Sequence, residues 1–326
     1  MPHVLILAQI HPDAVALLDR SGCTTEVLTD LSWPALSAAL PRAEAIIVRL
    51  HPIGEREVAA APKLRVVARH GAGHDTVDEA ALTRHGVLLT VTPFANSDSV
   101  AEHTILLMLA CARHLPENHA RVTGGRWGAE APRIGVEIGT RTLLIVGFGR
   151  SGQRVARIAR GFGTRVLVHD RAEKAPLIET AGCVPAPDLR AALPQADIVS
   201  LHCPATEATR GMVDARFLAA MKPGAMLINT ARGGLLDESA VAAALHDGRL
   251  GAAGLDVFQE EPVPASNPLL SAPNVVLTPH VAAGSAEAMR NMAMHAAEAV
   301  LSVFAGRPDP AVVVNRALLR SERAEG

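Results

Sequence analysis

Four polar side chains stand just beyond apolar runs in the second half of the sequence. His202 follows "IVSL", Arg232 follows "AMLINTA", Asp256 follows "GAAGL" and His280 follows "VVLTP". An arginine can bind a carboxylate with its planar, always charged fork, and a histidine can gain or lose a proton near neutral pH. Ligands of parallel α/β sheets bind at the carboxyl ends of the strands. We therefore expect these side chains to share one site.

Glu261, in the segment "QEEP", is the expected partner of His280. A carboxylate beside the imidazole would orient the ring and favour its protonated form, so the pair could donate a proton in reduction and accept one in oxidation. Considered singly, Arg232 would be a solvated arginine, Glu261 a loop charge and His280 a turn histidine. Together they predict hydride-transfer chemistry on a 2-hydroxy acid, with Arg232 holding the carboxylate and polarising the carbonyl. His202 either forms a local hydrogen bond or faces a cofactor.

The segment "LLIVGFGRSG" places Gly147, Gly149 and Gly152 after a predicted strand and before a predicted helix. This spacing is typical of dinucleotide binding, in which the pyrophosphate lies at the helix N-terminus. Asp170, after the next strand, could bind the adenosine ribose, which favours NAD over NADP. Arg171 argues in the other direction, since an arginine there can accommodate a 2′-phosphate. The alternative is a glycine-rich turn without a ligand.

Composition narrows the class of protein. A chain of 326 residues with 49% apolar residues predicts about two folded domains. The 31 basic and 33 acidic residues nearly cancel, so the charge balance favours neither nucleic acid nor an anionic membrane as a partner. The four cysteines match no zinc site or disulfide framework, and the N-terminus lacks the basic lead of a secretory signal. We expect a cytoplasmic protein without a metal.

Two series of short apolar runs and helical patterns predict two α/β domains with parallel sheets. Between them, a helix should begin at Ser97 and continue without a breaker until Pro116. The strands of the second series, from "RTLLIVG" to "NVVLTPH", lack alternation, which predicts central strands buried on both faces. A last helix, 286–304, should return to the first domain.

Several motifs occur in an order that resembles the D-isomer-specific 2-hydroxyacid dehydrogenases, above all the phosphoglycerate dehydrogenase and hydroxypyruvate reductase branch. They are "VVARHGAGHDTVD", "TPFANSDSVAEHT", "GFGRSG", "LHCPATEATRGMV", "NTARGGLLDESAV", "GAAGLDVFQEEP" and "VVLTPH". The resemblance covers almost the whole chain. It implies two Rossmann-like, doubly wound parallel-sheet α/β domains. The NAD-binding domain, 99–284, would be inserted into a flavodoxin-like substrate domain made of 1–98 and 285–326.

The resemblance also assigns roles to residues, and it implies a homodimer. Arg232, Glu261 and His280 would be the catalytic residues. Backbone of Ala72 and Gly73 would bind the substrate carboxylate, beside Arg49 or Arg69. The residues expected to contact the cofactor are Gly147, Gly149, Arg150, Ser151, Gly152, Asp170, His202, Cys203, Thr230, Ala231, Asp256, Ala282 and Ala283, with Asp256 beside the nicotinamide carboxamide.

Departures from the family pattern leave the substrate open between 3-phosphoglycerate and hydroxypyruvate or glyoxylate. His74 and Thr76 stand where phosphoglycerate enzymes more often show an aliphatic residue and an asparagine. Ser151 replaces an aliphatic residue, which its backbone role should tolerate. The sequence stops at Gly326, so feedback control by serine through a regulatory extension is not expected. The alternatives are an NAD(H)-sensing regulatory protein and a formate dehydrogenase-like enzyme, although formate dehydrogenases pair the histidine with glutamine.

Overall fold

The computed structural model describes residues 1–128 and 133–321, and these contain two separate parallel sheets. The chain divides into two compact units. Met1–Asn96 and the segment that begins at Gly284 form the first unit, and Ser97–Ala283 form the second. The first unit is thus built from two distant parts of the sequence. Residues 322–326 of the predicted substrate domain lie outside the described residues.

The first unit contains five parallel strands in the order β2-β1-β3-β4-β5. This is the strand order of flavodoxin-like doubly wound sheets, as predicted. Side chains of β1, β3 and β4 are buried on both faces, which explains why these strands read as continuous apolar runs. The elements are β1 (His3–Leu7), α1 (Pro12–Arg20), β2 (Thr24–Leu28), α2 (Trp33–Ala39), β3 (Ala45–Val48), α3 (Glu55–Ala59), β4 (Val66–Arg69), α4 (Glu79–Arg84) and β5 (Leu88–Thr90).

The second unit contains seven parallel strands in the order β12-β11-β10-β9-β6-β7-β8. Counted from its own first strand, this is the Rossmann order with one more strand at the edge, so the predicted fold class is confirmed. The elements are α5 (Ser97–Ala112), α6 (Leu115–Thr123), β6 (Thr142–Val146), α7 (Arg150–Gly161), β7 (Arg165–His169), α8 (Ala175–Thr180), β8 (Val184–Pro185), α9 (Leu189–Ala192), β9 (Ile198–Leu201), α10 (Ala215–Ala220), β10 (Ala225–Asn229), α11 (Glu238–His246), β11 (Leu250–Leu255) and β12 (Val275–Leu277).

Two predictions about this unit are wrong. The strand in "NVVLTPH" is an edge strand, and all three residues of β12 are only partly buried. Three apolar residues in a row do not distinguish an edge from a centre. The helix predicted to continue until Pro116 ends at Ala112, and His114 adopts a left-handed conformation with φ of 50°. A second helix starts at Leu115. Its second residue is Pro116, and a proline is well tolerated in the first turn of a helix.

The last long helix, α12 (Ala286–Phe304), has the predicted bounds and packs on the first sheet. Ser285 caps it by accepting a hydrogen bond from the Ala288 N–H. Its buried alanines and valines share a cluster with residues of β1, β3 and β4, so this helix completes the core of the first unit. A short helix, α13 (Leu318–Ser321), follows. Within the described ranges, no helix is long and apolar enough to cross a membrane.

Candidate active site

The three glycines of the loop between β6 and α7 serve three different steric purposes. Gly147 has φ of 100°, and a Cβ there would lie 2.7 Å from the backbone carbonyl of His202. A Cβ at Gly152 would lie 2.3 Å from the carbonyl oxygen of Gly147, so helix and strand approach closely at this point. A Cβ at Gly149 would meet nothing within 4 Å, which leaves open space beside the start of α7. The loop therefore has the tight turn, the open face and the close packing that a pyrophosphate site requires.

The start of α7 places backbone donors beside this open face. Gly149 is the N-cap and has no side chain to cap the helix, so N–H groups of the first turn can face an anion. The predicted backbone donors Arg150 and Ser151 are the first two residues of the helix. An anionic ligand could thus bind here through the backbone, whatever side chain stands at 151.

Asp170 lies at the end of β7, and its side chain is only 10% exposed. Its carboxylate accepts hydrogen bonds from the N–H of Phe148 at 2.5 Å and from the ammonium of Lys174 at 2.8 Å. Burial alone would raise the pKa of Asp170, but these two donors and the N–H of Arg171 together lower it below the usual aspartate value. An ionised acceptor therefore stands beside the glycine loop.

Arg232 follows β10 on a short turn that Asn229 organises. The fully buried Asn229 side chain donates to the carbonyl of Arg232 at 2.9 Å and accepts from the N–H of Ala231 at 3.0 Å. A Cβ at Gly233 would lie only 1.9 Å from the carbonyl carbon of Phe258, so only glycine fits there. The arginine turn thus packs directly on the loop that carries Glu261.

Glu261 and His280 come together although they are nineteen residues apart in sequence. Oε2 of Glu261 lies 2.6 Å from Nδ1 of His280, and the other carboxylate oxygen accepts from the N–H of Phe258 at 3.0 Å. The hydrogen bond from Phe258 thus helps to orient the carboxylate toward the ring. With Nδ1 directed at Glu261, the Nε2 of His280 is the ring atom left to exchange a proton with a substrate.

His280 has φ of 53°, a left-handed conformation that is uncommon for residues other than glycine. Asp256 stabilises this turn. Its carboxylate is fully buried and accepts from the N–H groups of Val281 at 2.9 Å and Ala282 at 2.8 Å, and from the Thr278 hydroxyl at 2.6 Å. The expected contact between Asp256 and the nicotinamide carboxamide stays a prediction, but the role in the histidine turn is plain from these bonds.

The other predicted cofactor contacts of this unit lie on the adjoining strand ends. His202 lies 2.8 Å from the Ser200 hydroxyl, and burial lowers the pKa of its ring to about 4, so the imidazole is neutral. The Thr230 hydroxyl is 2.8 Å from that of Thr104 on α5. Cys203, Ala231 and Ala283 are partly buried and Ala282 is buried. Among the described residues, no group of three or more His, Cys, Asp or Glu could hold a metal ion.

The four predicted substrate-binding residues belong to the first unit. Arg49 and Arg69 follow or end β3 and β4, which are neighbours in the sheet. The Arg49 guanidinium donates to the carbonyl of Gln9 at 3.3 Å, and that of Arg69 donates to the carbonyl of His70. Ala72 and Gly73 lie on the loop after β4, where Ala72 is exposed. These residues therefore share the carboxyl edge of the first sheet.

Three residues of the second unit were not predicted to have a role in the site. Asn229 is polar at the end of the apolar run "AMLIN", a signal that the sequence did contain. Thr278 and His103 have no such signal. His103 belongs to α5, far from Thr278 in sequence, and its ring lies 2.9 Å from the Thr278 hydroxyl and 3.5 Å from the Asp256 carboxylate. Their grouping depends on the tertiary fold alone.

Comparison with known proteins gives a consistent set of relatives. Residues 105–282 match the model for the NAD-binding domain of the D-isomer-specific 2-hydroxyacid dehydrogenases. The chain is 37% identical to the D-3-phosphoglycerate dehydrogenase of Methanocaldococcus jannaschii over 307 residues, which are 94% of this chain and 58% of that protein. The chain thus spans less than two thirds of the length of this curated relative.

Two crystal structures are similar over nearly their whole length. The TT0316 protein from Thermus thermophilus has a TM-score of 0.87 and 36% identity, with 96% of this chain and 99% of that chain covered. The NADPH-dependent glyoxylate/hydroxypyruvate reductase of Sinorhizobium meliloti, solved with citrate, has a TM-score of 0.86 and 30% identity, with 97% and 98% covered. The similarity thus includes both units of the chain.

Proposed function

The chain belongs to the D-isomer-specific 2-hydroxyacid dehydrogenase family, and from this premise we propose that it transfers a hydride between NAD and a small D-2-hydroxy acid or 2-oxo acid. The observation that carries the proposal is the 2.6 Å contact between Glu261 and His280. This acid–base pair occurs in the same unit as the glycine loop and the arginine turn. Together, the three features would bind the cofactor, hold the substrate carboxylate and transfer the proton.

Bound NAD would supply the hydride chemistry that side chains lack. The open face at Gly149 and the N–H groups at the start of α7 would hold its pyrophosphate. Asp170 would accept hydrogen bonds from the adenosine ribose, and its negative charge would disfavour the 2′-phosphate of NADP. The remaining predicted contacts, from His202 to Ala283, would line the rest of the cofactor site.

Arg232 would bind the substrate carboxylate and polarise the neighbouring carbonyl oxygen. Its guanidinium donates to the carbonyl of Ala231 at 2.6 Å, so one part of the fork is oriented by the turn itself. A bidentate, charge-assisted contact holds the reacting carbon in one orientation and stabilises negative charge that develops on the oxygen. For Ala72 and Gly73 the proposal is that their backbone N–H groups bind a substrate carboxylate.

His280 would move the proton that accompanies the hydride. In reduction, the protonated ring donates from Nε2 to the carbonyl oxygen, and in oxidation the neutral ring accepts that proton from the hydroxyl. Glu261 stabilises the protonated ring and fixes its orientation through Nδ1. The same pair thus serves both directions of one reaction.

We propose 3-phosphoglycerate, hydroxypyruvate or glyoxylate as the substrate. The relatives named above include a phosphoglycerate dehydrogenase and a glyoxylate/hydroxypyruvate reductase, which supports this range. Phosphoglycerate requires cations for its phosphate, and Arg49 and Arg69 at the edge of the first sheet are the candidates. Their side chains already donate to backbone carbonyls of Gln9 and His70, so a phosphate would compete with these contacts.

We also propose that the protein is a homodimer in the cytoplasm. Large apolar side chains are exposed along α5, α6 and the segment after them, and Trp127 is 83% and Ile134 90% exposed. A second copy that covered this surface would remove it from water. The surface consists of Leu106, Leu115, Val122, Trp127 and Ile134. Sedimentation equilibrium of the purified protein and of a Trp127→Glu variant tests this, since a dimer that depends on the surface should dissociate in the variant.

The reaction class is tested by initial rates of NADH and, separately, NADPH oxidation with hydroxypyruvate, glyoxylate, pyruvate and phosphohydroxypyruvate at neutral pH. We expect turnover with at least one of these acids and a preference for NADH. Turnover of phosphohydroxypyruvate alone would assign a phosphate pocket. Tight NADH binding without turnover of any 2-oxo acid would contradict the proposal and favour an NAD(H)-sensing regulatory protein.

A further inference from the structure

The loop between β11 and residue 267 carries Glu261 and contains neither helix nor strand. Backbone groups in such a segment must find partners outside a regular ladder. Two of its residues, Gln259 and Asn267, stand on either side of Glu261 and contact the same side chain. That side chain is Glu238, the first residue of α11.

Glu238 is a buried carboxylate, 8% exposed, that has no part in the proposed proton transfer. Its Oε1 accepts the backbone N–H of Gln259 at 2.7 Å, and its Oε2 accepts the side-chain amide of Asn267 at 2.8 Å. The N-terminal turn of α11 favours negative charge at this position. One carboxylate thus joins both ends of the loop to the helix that follows the Arg232 turn.

A carboxylate is required here because both of its partners are donors. Asn267 cannot turn its amide over to present Oδ1 to position 238, because Oδ1 already accepts the N–H of Leu269 at 3.0 Å. An amide at position 238 would direct an N–H₂ group at either the Gln259 N–H or the Asn267 amide. A buried donor would then be left without an acceptor.

We infer that Glu238 is a positioning residue for the acid–base pair: it holds the Glu261 loop so that the carboxylate remains in contact with His280. This inference rests on the proposed function. The hydrogen bond from Phe258 to Glu261 lies within the same held segment, next to Gln259. Without Glu238, the loop should still fold over Gly233, but Glu261 should lose its fixed orientation toward the ring.

The test compares Glu238→Gln with the double variant Glu238→Gln/Asn267→Asp. In the single variant, we expect kcat for reduction to fall about ten-fold, a part of the 10²–10⁴-fold that general acid–base catalysis supplies. KM for NADH should stay within about two-fold, because the hydrogen bonds of Glu238 are made to Gln259 and Asn267 and not to the glycine loop. In the double variant the acid at 267 can accept from the new amide and from Leu269, so kcat should recover.

Glu260→Gln is the matched control, because it makes the same chemical change at an exposed position of the same loop. It should leave kcat, KM and the pH profile unchanged. All variants are compared at a temperature where circular dichroism shows them folded, so that a loss of stability is not mistaken for a loss of positioning. Unchanged kcat in Glu238→Gln, or a double variant no better than the single one, would overturn the inference.

A second readout separates this inference from the proposed function. NMR of the His280 imidazole, with the ring resonances assigned from a His280→Gln spectrum, needs no substrate. In Glu238→Gln the Nδ1–H resonance should broaden or move upfield at fixed pH, because the ring loses its ordered hydrogen bond to Glu261. The double variant should restore it. If the wild-type protein reduces no 2-oxo acid but this pattern holds, the proposed reaction fails while the positioning role stands; an unchanged resonance overturns the positioning role.

Discussion

Asp256 accepts the backbone N–H of His280 with its own carbonyl at 2.8 Å, while its carboxylate accepts the N–H groups of the next two residues. One buried residue therefore fixes the left-handed turn from which the histidine side chain projects. Such conformations persist only where the surrounding structure stabilises them. The geometry of the acid–base pair thus depends on a carboxylate that does not contact the imidazole.

Asp256→Asn should damage both stability and turnover. One of its oxygens becomes an N–H₂ group that faces a donor, so a buried hydrogen bond is replaced by a repulsive contact. We expect the free energy of unfolding to fall by about 1–3 kcal/mol and kcat to fall about ten-fold or more. Asp98→Asn, at a side chain 64% exposed, is the control and should change neither quantity. Denaturant unfolding and initial rates check this; parental kcat in the buried variant would contradict it.

Glu261→Gln should lower kcat/KM for reduction by about 10- to 100-fold. The amide can still hydrogen-bond the ring, but it no longer carries the charge that stabilises the imidazolium. Initial rates at several substrate concentrations measure the loss. A parental kcat/KM would remove Glu261 from the acid–base pair.

Arg232→Ala should abolish most turnover while NADH still binds. The change removes the proposed contact with the substrate carboxylate, which costs at least about 100-fold in kcat/KM. Arg232→Lys keeps the charge but not the planar fork, and it should recover only a small part of that loss. Fluorescence titration with NADH should give dissociation constants within about two-fold of the parental value. Full activity of the lysine variant would show that only a point charge is needed.

Asp170→Ala should shift the cofactor preference from NADH toward NADPH. The change removes the proposed acceptor for the ribose hydroxyls and the negative charge that opposes a 2′-phosphate, and it leaves Lys174 and Arg171 in place. We expect the ratio of kcat/KM for NADH over that for NADPH to fall about 100-fold. Glu173→Ala, at a side chain 64% exposed, is the matched control. An equal loss with both cofactors would contradict the specificity role of Asp170.

The sequence was informative wherever an apolar strand is followed by a polar residue. Arg232 and His280 could be recognised because each interrupts an apolar pattern that has no other reason to end in a charge. The glycine loop could be predicted because its three steric requirements are local to one strand and one helix. The strand orders of both sheets then followed from the family that these motifs indicated.

What could not be predicted depends on contacts between distant segments. Glu238 lies in a helical pattern, and nothing in the sequence indicates that its partners are Gln259 and Asn267. The same holds for Asp256, whose role in the His280 turn arises from backbone groups that have no sequence signal. The edge position of β12 also depends on the order in which the strands pair in the sheet, which the sequence of β12 itself does not specify. These features are properties of tertiary packing rather than of local pattern.

Stability should fall in mild acid because of buried histidines, and His70 is the clearest case. Burial, with a contribution from the nearby Arg49 charge, lowers the pKa of His70 to about 4. In the unfolded chain an imidazole titrates near pH 6.5, so between these values the unfolded state binds a proton that the folded state does not. The contribution of neutral His70 to the free energy of unfolding is therefore fully present above about pH 6.5. It is lost as the pH falls to about 4, and the loss amounts to about 3 kcal/mol. His202, with a pKa also near 4, acts in the same direction.

His70→Gln tests this assignment, because glutamine does not titrate in either state. The variant should be less stable than the parent near neutral pH, since a 4% exposed side chain is replaced. Its stability should nevertheless fall less steeply between about pH 6.5 and 4, so the two curves converge in acid. His119→Gln, at an exposed position, should reproduce the parental slope. Urea unfolding at several pH values gives the slopes, and parallel curves for the parent and His70→Gln would mean that the folded protein protonates His70 as readily as the unfolded chain does.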